Sequence, residues 1–136
     1  SAASDVYKRQ GKDGVYAASL LVEMVAVTGK KLSELMRIVN ELCGERYMEE
    51  RSYRFAREDR EPMMRLLFEE KGLPDLSGYQ VERVSYLDGC KVYFADGGWV
   101  SARFSGTEPL LRIFCEMKTQ EEAVGICNRW KAFLGL

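Results

Sequence analysis

Apolar residues fall almost all the way round a helical wheel from Asp13 to about Thr28, in DGVYAASLLVEMVAVT, with Glu23 the main interruption. The pattern predicts a helix that Asp13 caps and Gly29 ends, and one that expects cover on most of its faces. Lys31 to Cys43 changes character: Leu32, Leu35, Met36, Val39 and Leu42 form a single stripe, and Gly44 closes it. In ERYMEERSYRF the period shortens to two, with Tyr47, Tyr53 and Phe55 in register and charges at most other positions, which predicts an exposed or edge strand.

A charged run, AREDREP at 56–62, marks a composition shift, and a domain boundary is expected there. Pro62 to Lys71 predicts a helix ended by Gly72, followed by a loop, KGLPDLSG. Four strands are then expected, at 81–87, 90–95, 99–104 and 110–117. Asp88-Gly89 supplies a two-residue hairpin signal, Asp96-Gly97-Gly98 a second turn, and 105–109 a loop. Thr119 to Leu134 closes the chain as a helix whose stripe is Ala123, Ile126, Cys127, Trp130 and Leu134. The fold class is α+β: a four-stranded, mainly antiparallel sheet packed against helices. Residues 1–11 show neither period and are expected to be an unstructured or foreign leader.

Charge and residue usage narrow the chemistry. Lys and Arg number 20 against 21 for Asp and Glu, so the basic surplus that nucleic-acid binding needs is missing and no such partner is expected. With no histidine in the chain, imidazole triads and His metal sites are excluded. Cys43, Cys90, Cys115 and Cys127 lack the close C-x-x-C spacing that clamps zinc; no metal site is expected, and each thiol is taken as a small core residue in a reducing, cytoplasmic setting. The most apolar run, Val15 to Val27, carries Glu23 and is shorter than the ~20 residues that cross a bilayer, so no membrane partner is expected.

One segment concentrates candidate chemistry: Arg103-Phe104-Ser105-Gly106-Thr107-Glu108-Pro109-Leu110-Leu111-Arg112. Strand parity sends Val100, Ala102 and Phe104 to the core and Arg103 to the other face; likewise Leu111, Ile113, Cys115 and Met117 face one way and Arg112 the other. If the two strands pair, both guanidiniums converge beside a loop with two hydroxyls and a glycine. Planar guanidinium donors match a tetrahedral oxyanion bidentately, and successive turn amides form a nest of the same polarity. The competing reading is an ordinary turn in which Ser105 and Thr107 bond their own backbone and both arginines are solvated. The Gly-Lys-Ser/Thr of a P-loop is missing.

The same ten residues, followed by a strand running on to Glu116, resemble the phosphate-binding loop of the α-D-phosphohexomutases, the phosphoglucomutase/phosphomannomutase family. Lys12-Asp13-Gly14-Val15-Tyr16-Ala17-Ala18, its long helix and Gly29-Lys30-Lys31-Leu32-Ser33-Glu34-Leu35 are similar to the end of that family's third domain. The resemblance implies that residues 12–55 are the closing helices and edge strand of a third, α/β domain, and that 56–136 are a fourth, phosphate-binding domain. It further implies an isomerase of carbohydrate metabolism that moves a phosphoryl group between the C1 and C6 oxygens of a hexose phosphate, glucose or mannose 1- or 6-phosphate, using a phosphoserine and Mg²⁺. In such chemistry positioning and charge neutralisation supply most of the catalysis. On this likeness Arg103, Ser105, Gly106, Thr107 and Arg112 hold the substrate phosphate, and Lys12 is a further active-site contributor.

Several family segments are missing from the 136 residues: a Ser-His phosphoserine segment, an Asp-Gly-Asp-Gly-Asp metal loop and a Gly-Glu-x-Ser-Gly sugar-reading stretch. The chain is therefore expected to be the C-terminal portion of such an enzyme, to need the remaining domains as partners, to carry no cofactor of its own, and to be inactive alone. The alternative is a stand-alone, non-catalytic phosphate-binding or assembly module.

Overall fold

A computed structural model describes residues 13–136, which divide into two compact units with the break between Gly44 and Glu45. In the first, α1 (Gly14–Thr28) starts where the Asp13 carboxylate accepts the Tyr16 N–H at 2.9 Å. It ends at Gly29, whose left-handed backbone (φ 65°) lets its N–H reach the Val25 carbonyl at 2.9 Å. α2 (Leu32–Cys43) follows, with Glu34 accepting the Lys31 N–H at 2.8 Å and Arg37 paired to Glu41 one turn on. Neither helix buries a residue: Val15, Leu20, Val22 and Val27 on α1 and Leu32, Met36, Val39 and Leu42 on α2 are all exposed. Cys43, expected in a core, is exposed as well.

The second unit is a five-stranded antiparallel sheet backed by helices. Its strands are β1 (Tyr47–Arg54), β2 (Val81–Ser85), β3 (Cys90–Phe94), β4 (Trp99–Phe104) and β5 (Leu110–Met117), in spatial order β1-β5-β4-β3-β2. Four of them occupy the expected places. β1 corrects the expected count of four, because it pairs with β5 along its whole length, from Tyr47 opposite Met117 to Arg54 opposite Leu110. The two compact units divide at 44/45, whereas the composition shift lies near residue 56. The physical reason lies in the pairing. Tyr53 and Phe55 pack on the core of the second unit, while Glu49 and Arg51, at inward parity, satisfy each other at its rim. Glu49 also accepts from Gln120 at 2.8 Å.

Inward residues of the sheet and one face of α4 (Gln120–Phe133) make the core: Val92, Phe94, Val100, Ala102, Leu111, Ile113, Cys115 and Met117 meet Ala123, Ile126, Cys127 and Trp130. Each large side chain so buried contributes roughly 1.5–3 kcal/mol from apolar area removed from water. α4 is opened by a reciprocal cap, in which Thr119 accepts the Glu122 N–H at 3.2 Å and Glu122 accepts the Thr119 N–H at 3.2 Å.

Two local expectations change. The helix expected at 62–71 starts earlier and in three parts: a 3-10 turn (Arg57–Asp59), α3 (Arg60–Met64), and a wider π turn (Arg65–Glu69) in which the Glu70 N–H reaches the Arg65 carbonyl at 3.0 Å. The Asp88-Gly89 connection is longer than a two-residue turn, because the last β2–β3 pair is Ser85 with Lys91. Gly89 lies against β4 instead: its φ is 83°, and a Cβ there would stand 2.5 Å from the Ala102 carbonyl oxygen.

Candidate phosphate-binding site

The loop at 105–109 is pinned at both ends. The Ser105 N–H donates to the Leu110 carbonyl at 2.8 Å, and the Phe55 N–H donates to the Pro109 carbonyl at 3.3 Å. Within it, the amides of Thr107 and Glu108 both point at Ser105 Oγ, each at 3.4 Å. Two amides aimed at one oxygen are the geometry of a nest, which suits an anionic oxygen as well as a hydroxyl. The turn that the competing reading describes is thus present at Ser105, whose hydroxyl oxygen accepts amides of its own loop. Gly106 has open space where a Cβ would stand and no left-handed backbone, so the fold does not demand glycine there. What its bare backbone provides is access.

Arg103 and Arg112 are brought together. They are direct partners in the β4–β5 ladder and hence lie on one face of the sheet, opposite the helices; both are exposed. Asp88 stands 3.1 Å from Arg103 Nε. Ser52 pairs with Arg112, and Arg54 lies two residues on at the same parity, so a third guanidinium shares this face near the loop.

A cavity of about 350 Å³ lies between segment 106–109 of the loop and Phe55, Arg57 and Arg60. Of its lining residues, Phe55 meets Phe104 edge to face at 5.7 Å, and the Arg60 guanidinium lies over the Phe104 ring at 5.3 Å. Arg60 Nη1 donates to the Ser105 carbonyl at 3.3 Å. Neither Arg103 nor Arg112 lines this cavity. Arg54, Arg57 and Arg60 escape the sequence reading because all three look like solvated charge; the spacing of 57 and 60, which places both on one side of a helical turn, is the signal that could have found them.

Thr107 and the carboxylate-bearing Glu108 line the cavity, whereas Lys12 lies outside the described residues. Among the described residues no three Cys, Asp or Glu side chains gather around a common point. Nor is any helix among them long and apolar enough to cross a membrane. Cys90, Cys115 and Cys127 are buried thiols. Burial pushes Cys90 up to about 11, and a hydrogen bond between Cys115 and Cys127 raises the first and lowers the second.

The sequence of the second unit matches a known class of domain. The family described as phosphoglucomutase/phosphomannomutase, C-terminal domain, matches residues 63–130, half of the chain. A phosphoglucomutase/phosphomannomutase of Thermococcus kodakarensis is 38% identical over 113 residues, 83% of this chain and 22% of that protein. Probable phosphoglucosamine mutases of Methanothermobacter thermautotrophicus (32% identical, 90% of this chain and 25% of that protein) and Pyrococcus furiosus (32%, 82% and 22%) are also similar. The chain belongs to the phosphohexomutase family and corresponds to its C-terminal portion. It spans about a quarter of the length of these curated relatives.

Proposed function

We propose that this chain supplies the clamp for the substrate phosphate in a phosphohexomutase, with Arg103, Ser105, Gly106, Thr107 and Arg112 holding the phosphate of a hexose phosphate while phosphoryl transfer occurs between its C1 and C6 oxygens. The observation that carries the reading is the opposition of Arg103 and Arg112 across β4 and β5, with the loop between them closed by the Ser105–Leu110 hydrogen bond. Two charge-assisted forks and two convergent amides match the donors a phosphate monoester accepts. The names of the relatives, phosphoglucomutase/phosphomannomutase and phosphoglucosamine mutase, support a hexose phosphate as the substrate class. Lys12 is proposed as a further contributor from the preceding segment, and the partners are the other domains of the parent enzyme, which operate in the cytoplasm and hold the Mg²⁺.

Titration of glucose 6-phosphate into the chain tests the clamp: saturable binding is expected, weakened in Arg103→Ala and Arg112→Ala. Absence of saturable binding would overturn the reading. A second reading is a stand-alone phosphate-binding or assembly module without catalysis. Mixing with a chain that carries the first three domains separates the two, since only the mutase reading expects activity to appear.

A further inference from the structure

We propose that Cys115 and Cys127 form a modification site, a pair of facing thiols that a peroxide converts into a disulfide joining β5 to α4. The site is separate from the phosphate clamp of the proposed function and stands or falls without it.

Cys115 is an inward residue of β5, and Cys127 lies on the stripe of α4 that packs on the sheet; both are completely buried. Two contacts fix how the helix follows the strand. At its start, Gln120 donates to Glu49 at 2.8 Å, and Glu49 is the direct β1 partner of Cys115. Near its end, the Lys131 ammonium stands 5.8 Å from the centre of the Tyr53 ring, and Tyr53 pairs with Leu111. α4 therefore runs along the inward residues of β5, where the Cys115 thiol donates a hydrogen bond to the Cys127 sulfur. Thiols already in contact need little backbone movement to be bridged. Cys90, just as deeply buried, has the Tyr86 hydroxyl as its hydrogen-bond neighbour instead, and Cys43 is exposed on the first unit.

The hydrogen bond from Cys115 holds the Cys127 thiol below its usual range, which favours the thiolate, the nucleophilic form. Peroxide reaches it when α4, the last element of the chain, lifts locally from the sheet. The Cys127 thiolate attacks one peroxide oxygen; the O–O bond breaks, and hydroxide leaves and takes up the proton that the thiol gave, as water. Cys127 then carries a sulfenic acid. On reclosure the Cys115 sulfur attacks the Cys127 sulfur, the S–O bond breaks, and hydroxide departs with the Cys115 proton as a second water. Two thiols are oxidised by two electrons in all, and one peroxide is reduced to two waters. The bond ties the last helix to the strand that bears Arg112, and a dithiol reductant restores both thiols.

The test treats the full chain carrying Cys43→Ser with hydrogen peroxide, because the exposed Cys43 thiol would otherwise react first and cross-link chains. After quenching, the protein is denatured, its free thiols are alkylated, and its peptides are weighed by mass spectrometry. A cross-linked peptide joining Cys115 to Cys127 is expected, with Cys90 alkylated as an internal control of equal burial. The unfolding midpoint is expected to rise by about 5–10 °C and to return with dithiothreitol. Cys115→Ala and Cys127→Ala, each compared with its own untreated form, should show neither the cross-link nor the rise. Should both variants fail to fold, the cross-link and its reversal in the Cys43→Ser chain still decide. Recovery of Cys115 and Cys127 as alkylated thiols, or as sulfinic acids without a cross-link, would overturn the proposal. So would cross-links from Cys90 in equal amount, which mark pairing in the unfolded chain, or a midpoint rise of the same size in both alanine variants.

Discussion

Arg103 and Arg112 stand directly opposite each other in the β4–β5 ladder, two like charges at a position where cross-strand partners ordinarily attract. Such a pair costs a sheet a few tenths of a kcal/mol up to about 1 kcal/mol. Asp88, 3.1 Å from Arg103, offsets part of that cost, and on the proposed function a bound phosphate would offset the rest. The expected consequence is a trade between stability and binding. Arg112→Ala should leave the midpoint of thermal unfolding unchanged or slightly raised while phosphate affinity falls about tenfold. Asp88→Asn should do the reverse, tightening phosphate binding by about threefold, since an exposed ion pair of this kind is worth at most ~1 kcal/mol. Both effects should shrink between 0.05 and 0.5 M salt, as screening requires. Calorimetric titration and melting of the three proteins side by side check this, and a variant that loses stability and affinity in parallel would argue for a purely structural pair.

The parity argument that placed these arginines needs only the strand period, which is why they were legible in the sequence. The same holds for β3, β4, β5 and α4, whose apolar periods are long and clean. What was not legible is what depends on partners. β1 shows a strand's period, yet nothing in Tyr47–Arg54 names β5 as its neighbour, because hydrogen bonding to an edge uses the backbone and leaves no mark on the side chains. Arg57 and Arg60 look like linker charge until Phe104 and the Ser105 carbonyl arrive from about 45 residues away. Asp88-Gly89 carries the signature of a tight hairpin, but Gly89 is there because the β4 backbone passes too close for a side chain.

Two glycines make that distinction measurable. A methyl at Gly106 meets nothing within 4 Å, whereas one at Gly89 meets the Ala102 oxygen at 2.5 Å on a backbone with φ 83°. Gly106→Ala should therefore melt within a degree or so of wild type and bind phosphate more weakly, because the added methyl stands on the approach to the loop amides. Gly89→Ala should lose at least ~1–2 kcal/mol, several degrees in melting temperature for a unit of this size. Should Gly106→Ala bind phosphate as wild type does, access at that residue is not what the glycine provides.

Stability should also fall in alkali. Burial raises the Cys90 thiol from about 9 to about 11, and raises the phenols of Tyr53, Tyr79 and Tyr86 above their usual 10. In each case the native state holds a proton that the unfolded chain releases sooner. The stabilisation is thus complete below pH 9 and is lost as the pH rises from 9 through 11, first by Cys90 and then by the tyrosines. A two-unit shift at Cys90 alone corresponds to roughly 3 kcal/mol. Urea unfolding at pH 7.5, 9 and 10.5 should show a plateau and then a decline, made shallower by Cys90→Ala. A flat profile to pH 11 would contradict the burial of these protons.

The place of β1 gives the last prediction. β5 is sandwiched between β1 and β4, and its inward residues Leu111, Ile113, Cys115 and Met117 are completely buried. A chain cut at residue 56, where composition changes, would strip β1 from one side of β5. It would leave eight residues of unpaired backbone beside the deepest part of the core, remove Tyr53 and Phe55 from it, and free the loop carbonyl of Pro109 from the Phe55 amide. An exposed edge of that length invites pairing with another chain. Residues 45–136 should accordingly fold alone as a monomer with a single cooperative melt. Residues 56–136 should melt several degrees lower or associate through β5, and should bind phosphate poorly even though every residue from Arg103 to Arg112 is present. Circular dichroism melts and light scattering on the two fragments decide the matter, and equal stability of both as monomers would mean that β1 is an ornament on the sheet rather than its fifth strand.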